Sequence, residues 1–162
     1  MSKHPKFWDY SVALYAKPGI ATLCLRLQDD AGCDVNLLLL SCWLGEIGRL
    51  PDPAVARNLR AIASEWQRPV IRPVREVRRV LKERFERGAA PPGLAAVRER
   101  IKALELDFER LAQEELEVAA LASAAAPEGK LTAGRALERL VPKTRQRMKD
   151  TQMLLDGAFS SS

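Results

Sequence analysis

The stretch Asp34-Val-Asn-Leu-Leu-Leu-Leu-Ser-Cys-Trp-Leu-Gly45 constrains the fold more than any other part of the chain. It is apolar on every side, whereas the segments flanking it are amphipathic. A helix of that kind is stable only when other helices surround it. Ser41, Gly45 and Glu46 interrupt the run, and it is too short to cross a bilayer. Asp34 follows Gly32 and can accept bonds from the first free N–H groups, so it is the expected N-cap. The central helix is expected over residues 34–50, ending before Pro51.

Apolar residues at spacings of three and four place amphipathic helices around it. The first runs from Pro5 to Ala16, with Phe7, Ser11, Leu14 and Trp8, Val12, Tyr15 as adjacent rows. The second buries Ile20, Leu23, Cys24 and Leu27 and stops near Gly32. Asp52 and Pro53 open a fourth, with Val55, Leu59, Ile62 and Trp66 as its stripe. Pro69 is expected to separate a fifth, which buries Val70, Val74, Val77, Leu81 and Phe85 and reaches Arg87.

Gly88-Ala-Ala-Pro-Pro-Gly93 carries no charge and reads as a linker. Beyond it the pattern changes to heptads: Leu94, Val97, Ile101, Leu104, Phe108, Leu111 and Val118, broken at Glu115. A second register, Leu137, Val141, Thr144, Met148, Thr151, Leu155 and Ala158, follows the turn at residues 124–129. Two such stripes predict an antiparallel, coiled-coil-like hairpin. Pro142 should kink or restart its second arm. The expected architecture is all-α: a bundle over residues 1–88 centred on 34–50, then a helical hairpin over 93–159. The hairpin is packed on the bundle or projecting from it, and the whole is one structural domain. Leu106, Leu116, Leu140 and Leu154 are candidates for exposure on the hairpin, and through them for self-association.

The first fifty residues carry a set of residue types at fixed spacing: Phe7-Trp8, Ser11, Tyr15, Cys24-Leu25-Arg26-Leu27-Gln28, Gly32-Cys33-Asp34-Val35-Asn36-Leu37-Leu38-Leu39 and Trp43. This resembles the signature of a proteobacterial domain of unknown function, over Phe7 to about Trp43 and more loosely through the fifth helix. The resemblance implies a small, all-helical, cytoplasmic bacterial protein and brings no activity with it.

Chemistry is sparse. The sole histidine is His4, near the N-terminus, which argues against His-based triads and metal sites. Cys24, Cys33 and Cys42 form no CxxC pair and read as core or loop thiols. No phosphate-binding glycine motif is present. Asp29-Asp30-Ala-Gly-Cys-Asp34 resembles the aspartate-rich Mg²⁺ motif of helical isoprenoid synthases, but Gly32 breaks the helix inside it and no second acidic cluster follows. Its plainer reading is a solvated C-terminal turn plus a cap. No catalytic residue, cofactor or metal ligand is assigned. Asn36 either completes the hydrogen bonds at the start of the central helix or, with Asp34, lines a small polar pocket with Gln28, Ser11 or Tyr15.

The net charge is +5, and the excess falls on residues 68–87, which hold eight basic residues against three acids. Arg68, Arg72, Arg75, Arg79 and Lys82 follow a 4, 3, 4, 3 spacing and predict one outward basic stripe. Such a stripe suits phosphates or an acidic partner, or is a solvated face laced by Arg72–Glu76 and Arg79–Glu83 pairs. The leading expectation is therefore a non-enzymatic cytoplasmic interaction module, binding another protein or itself through the hairpin. The alternatives are a nucleic-acid backbone binder using helix 68–87, and a small-molecule or Mg²⁺-dependent enzyme with a pocket near Asp34 and Asn36. The N-terminus lacks a signal-peptide core, and no membrane partner is expected.

Overall fold

The computed structural model describes residues 4–142 and 148–160. Its elements are α1 (Phe7–Tyr15), α2 (Ile20–Ala31), α3 (Val35–Glu46), β1 (Arg49–Leu50), α4 (Pro53–Trp66), a π-helical turn (Gln67–Ile71), α5 (Arg72–Glu86), α6 (Leu94–Ala120), β2 (Ala124–Ala125), α7 (Lys130–Leu140) and α8 (Met148–Ala158). The fold is all-α apart from a two-residue antiparallel ladder that pairs Arg49 with Ala125 and Leu50 with Ala124. Among the described residues no helix is long and apolar enough to cross a membrane.

α3 is the axis. Every residue from Asn36 to Gly45 is buried, as its uniform apolarity requires. Asp34 Oδ1 accepts from the N–H groups of Asn36 (2.8 Å) and Leu37 (3.4 Å) and caps the helix. α3 stops at Glu46 rather than running on to Leu50, because Gly48 turns the chain at φ 63° into β1. α2 buries Ile20, Leu23, Cys24 and Leu27 and ends at Gly32 in the left-handed region. α1 is pinned at its start. Trp43 Nε1 donates to the Pro5 carbonyl at 3.0 Å, the Phe7 and Trp43 rings lie 5.5 Å apart, and the Phe7 N–H donates to Glu117 on α6. Asp52 caps α4 through Ala54 and Val55, with Pro53 in its first turn. The buried residues of α4 are Ala56, Leu59 and Ala63; Val55, Ile62 and Trp66 are half-buried.

Several expectations are corrected. Pro69 does not separate two helices. Instead, α4 continues through the π-helical turn into α5, and the Arg72 N–H reaches back five residues to the Gln67 carbonyl. The wider turn accommodates a residue that has no N–H to give. α5 itself has no fully buried residue, so its expected apolar stripe is half-covered, and Val77 and Phe85 are exposed.

The segment 88–93 does not divide a bundle from a hairpin. It is the turn of a hairpin between α5 and α6, which are tied together by Arg75–Glu105 and Arg78–Glu105.

α7 does not run back along α6 as the second arm of a hairpin; it packs on α3. Two features draw it there. The Ala126 N–H donates to Gly48 O and the Gly129 N–H to Gly45 O, both at 2.8 Å. Gly45 also has no side chain, and a Cβ there would stand 2.5 Å from that of Ala133. α8 then closes over α2, with Arg26 bonded to Asp150 at 3.0 Å. Leu116, Leu140 and Leu154 are consequently buried rather than exposed, while Leu106 is exposed. α7 ends just before Pro142. Of the second heptad register, Leu137, Val141, Leu155 and Ala158 are buried and Met148 is exposed, while Thr144 lies outside the described residues.

Candidate binding pocket between helices 1, 2, 3, 5 and 6

The inner face of α6 is not the heptad seam. Val97, Leu104, Leu111 and Val118 are exposed, and the buried positions are Glu105, Ala112, Gln113, Leu116 and Ala120. Glu105, Glu109 and Gln113 stand four apart and therefore on one face. That face looks across a cavity of about 620 Å³ toward α1, α2 and the start of α3.

The apolar part of the lining is Trp8, Val12, Leu25, Val35, Leu39 and Leu106, drawn from α1, α2, α3 and α6. The polar groups come from all five helices. Ser11 and Tyr15 are one turn apart on α1, Gln28 is in the last turn of α2, and Asn36 is in the first turn of α3. The Asn36 side chain does not cap the helix, since Asp34 does that. Asn36 Oδ1 instead accepts from Gln113 Nε2 at 2.8 Å, a buried bond between α3 and α6. The signature positions Ser11, Tyr15, Gln28 and Asn36 thus line one space, with Asp34 holding the helix start that presents Asn36.

Arg75 is the hub of the charged side. Its Nε donates to Glu105, one terminal nitrogen to Gln28 Oε1 and the other to Glu109, each at 3.0 Å. Arg78 holds the second oxygen of Glu105. Burial alone would lower Arg75, but the bonds to Glu105 and Glu109 outweigh it and hold the guanidinium charged. Burial pushes the Glu109 carboxyl up, with Arg75 opposing it. Burial likewise pushes Asp34 up to about 6, against the two cap N–H groups and Arg75. Tyr15 is raised by burial, with Cys24 and Glu109 adding to it, so it stays a phenol able to donate or accept.

The expected basic stripe therefore loses its middle member. Arg75 points inward; Arg79 pairs with Glu76 and Glu83, and Lys82 with Glu86, on their own helix. Arg68 and Arg72 are exposed. The Arg79–Glu83 pair forms as expected, whereas Glu76 is held by Arg79 rather than by Arg72. Of the Mg²⁺-like motif, Asp29 and Asp30 are exposed and Asp34 is a cap. Among the described residues no group of three or more His, Cys, Asp or Glu could hold a metal ion. Cys24, Cys33 and Cys42 are buried and form no disulfide among the described residues, and burial pushes the thiols of Cys24 and Cys42 up to about 12.

Sequence reasoning missed Glu105, Glu109 and Gln113. Their signal was polar residues at i, i+4 and i+8 on the helical face carrying Ala112 and Leu116, where a core face should be apolar throughout.

A family model described as "Protein of unknown function (DUF2390)" matches residues 6–116, a span that contains every residue lining the cavity. No curated protein and no solved structure matches the chain.

Proposed function

The chain belongs to this family of proteins of unknown function, and from the site itself we propose that it is a small-molecule-binding protein whose ligand enters between α1, α2, α5 and α6. One observation supports this reading above the others. A cavity of about 620 Å³ combines apolar lining residues with converging polar side chains from five helices, which is the make-up of ligand pockets in general. Arg75, Arg78, Glu105 and Glu109 pair with one another, so these charges shape the site rather than await a counter-ion, and Lys102 is an exposed cation on the lining. Ser11 Oγ has no partner among the described residues, so it is placed to meet a ligand rather than to pass its proton to a base. We assign the protein to the cytoplasm, where three cysteines outside any disulfide stay reduced.

The test is a fragment screen read by thermal shift and by amide NMR shifts. A ligand at one hundred times its Kd should stabilise the fold by about 2.7 kcal/mol. Leu106→Trp, which places a large ring at the exposed rim, should remove that gain without unfolding the protein. Hits that map to α7 and α8, or that Leu106→Trp leaves unchanged, would refute the reading.

The interaction reading has one observation of its own. Val97, Leu104, Leu111 and Val118 recur every seven residues and are all exposed, Val118 by 73 %. We propose a second copy of the chain as their partner, packed antiparallel. Val97 then lies level with Val118 and Leu104 with Leu111, and Arg100 of one copy comes beside Glu114 of the other. Light scattering on wild type and Leu104→Glu tests it; a monomer at all concentrations refutes it.

A further inference from the structure

Two polar atoms in the cavity are buried and have no hydrogen-bond partner: Ser11 Oγ and Gln113 Oε1, in residues each 3 % exposed. Leaving such groups unpaired costs free energy, so each points to something the protein is built to receive. Ser11 has an obvious internal alternative that it does not use. Ser41, in the same kind of helical setting, satisfies its hydroxyl by donating to the carbonyl four residues back, Leu37 O, at 2.8 Å. Ser11 makes no such bond to Phe7, and its buried hydroxyl, on a residue that lines the cavity, has no partner among the described residues. Gln113 spends its amide nitrogen on Asn36 and leaves its oxygen. If both amides were turned over, the bond between them would reverse and a Gln113 N–H would be left instead.

Resting on the binding reading above, we infer that the buried end of the ligand is an uncharged edge that both donates and accepts, such as an amide or lactam. A hydroxyl at Ser11, an amide oxygen at Gln113 and a phenol at Tyr15 are all neutral. A bare hydrocarbon would leave Ser11 and Gln113 unpaired. An anion at the buried end would enter beside Glu109, whose own charge burial already disfavours; each guanidinium nitrogen of Arg75 is already turned to Glu105, Gln28 or Glu109, and Lys102, also on the lining, is exposed to solvent rather than at the buried end. A neutral amide can pair with a hydroxyl and with either orientation of Gln113, and its flat apolar remainder suits the apolar lining residues Trp8, Val12 and Leu39.

Benzamide, benzoate and toluene are close in size and differ in the one property at issue. Each is titrated into the full-length protein and followed by amide chemical shifts. Benzamide should shift Asn36 and Gln113 and bind at least about tenfold more tightly than the other two, the discrimination expected when a buried polar group is left unpaired. Ser11→Ala removes an oxygen that has no partner in the free protein. It should leave stability unchanged or raised, yet weaken benzamide about five- to tenfold and toluene not at all. Gln113→Met, of similar volume, should also weaken benzamide. Equal binding of the three probes, or a preference for benzoate, overturns the inference and leaves the pocket as a binding site. A benzamide preference that survives both substitutions overturns it too. If none of the probes moves a cavity resonance up to its solubility limit, the binding reading itself falls.

Discussion

Replacing Arg75 by methionine removes the guanidinium and keeps most of the side chain's volume. Glu105 and Glu109 then face the cavity with a hydrogen-bonding partner lost from each. Breaking a fully buried pair in this way costs about 3–5 kcal/mol. Here the side chains are 27 % (Arg75), 9 % (Glu105) and 28 % (Glu109) exposed, and Arg78 still holds Glu105, so the figure must be reduced. A loss of about 2–3 kcal/mol at pH 7.5 is the expected result, which for a chain of this length lowers Tm by about 4–12 °C. Urea denaturation measures it directly. The loss should shrink as the pH falls toward 5. Glu109 is already pushed up by burial, and without Arg75 it rises further. A carboxyl raised in the folded state contributes stability that is present below its unfolded pKa and is lost as the pH rises through the folded one. Adding Glu109→Gln to Arg75→Met should recover part of the loss at pH 7.5. The control is Arg79→Met on the same helix, whose salt bridges are local and solvated and whose removal should change little. If the two arginine variants cost the same, or if the Arg75→Met loss is independent of pH, Arg75 is not the internal hub described.

At the α3–α7 crossing, Gly45→Ala should cost about 1–3 kcal/mol from overpacking, and Gly45→Ala with Ala133→Gly should restore much of it, since the clash lies between those two positions. Asp34 has a folded value of about 6 against an unfolded one near 4. Its titration therefore supplies stability that is complete below about pH 4 and lost as the pH rises past 6, worth roughly 2–3 kcal/mol. Asp34→Asn keeps a capping oxygen and removes the titration. The difference in unfolding free energy between wild type and variant should change by that amount between pH 4 and 7, and a constant difference would contradict the burial of this carboxyl.

The parts legible in the sequence were those where one local rule decides the outcome. α2 shows its four buried residues at helical spacing, α3 is apolar all round, and Asp34 and Asp52 stand where an uncapped helix would need an oxygen. The polar cluster was half legible. Ser11, Tyr15, Gln28 and Asn36 could be grouped, but the α6 residues opposite them could not, because apolar spacing finds the face that meets a core and misses the face that meets a cavity. On α6 the two lie side by side, and Leu104 and Leu111 drew the seam toward solvent. α7 was misplaced for a different reason. Its partner is decided by a missing side chain, Gly45, and by backbone bonds from 126 and 129, neither of which leaves an apolar pattern.

The π-helical turn at Gln67–Ile71 has a consequence for how the basic residues fall. Counted as a regular α-helix, Arg68 and Arg75 are seven residues apart and share a face. A turn closed over five residues instead of four holds one residue in reserve, and everything after it is out of phase with everything before it by about 100°. That offset lets Arg68 look out to solvent while Arg75 looks into the cavity. It also makes the rod forgiving at one point and strict elsewhere. A residue lost within 67–71 relaxes the turn to an ordinary one and leaves both flanking helices in phase, so Arg75 keeps its aim. A residue lost between Arg72 and Arg75 has no reserve to draw on, and it would swing the guanidinium about a quarter-turn off Glu105.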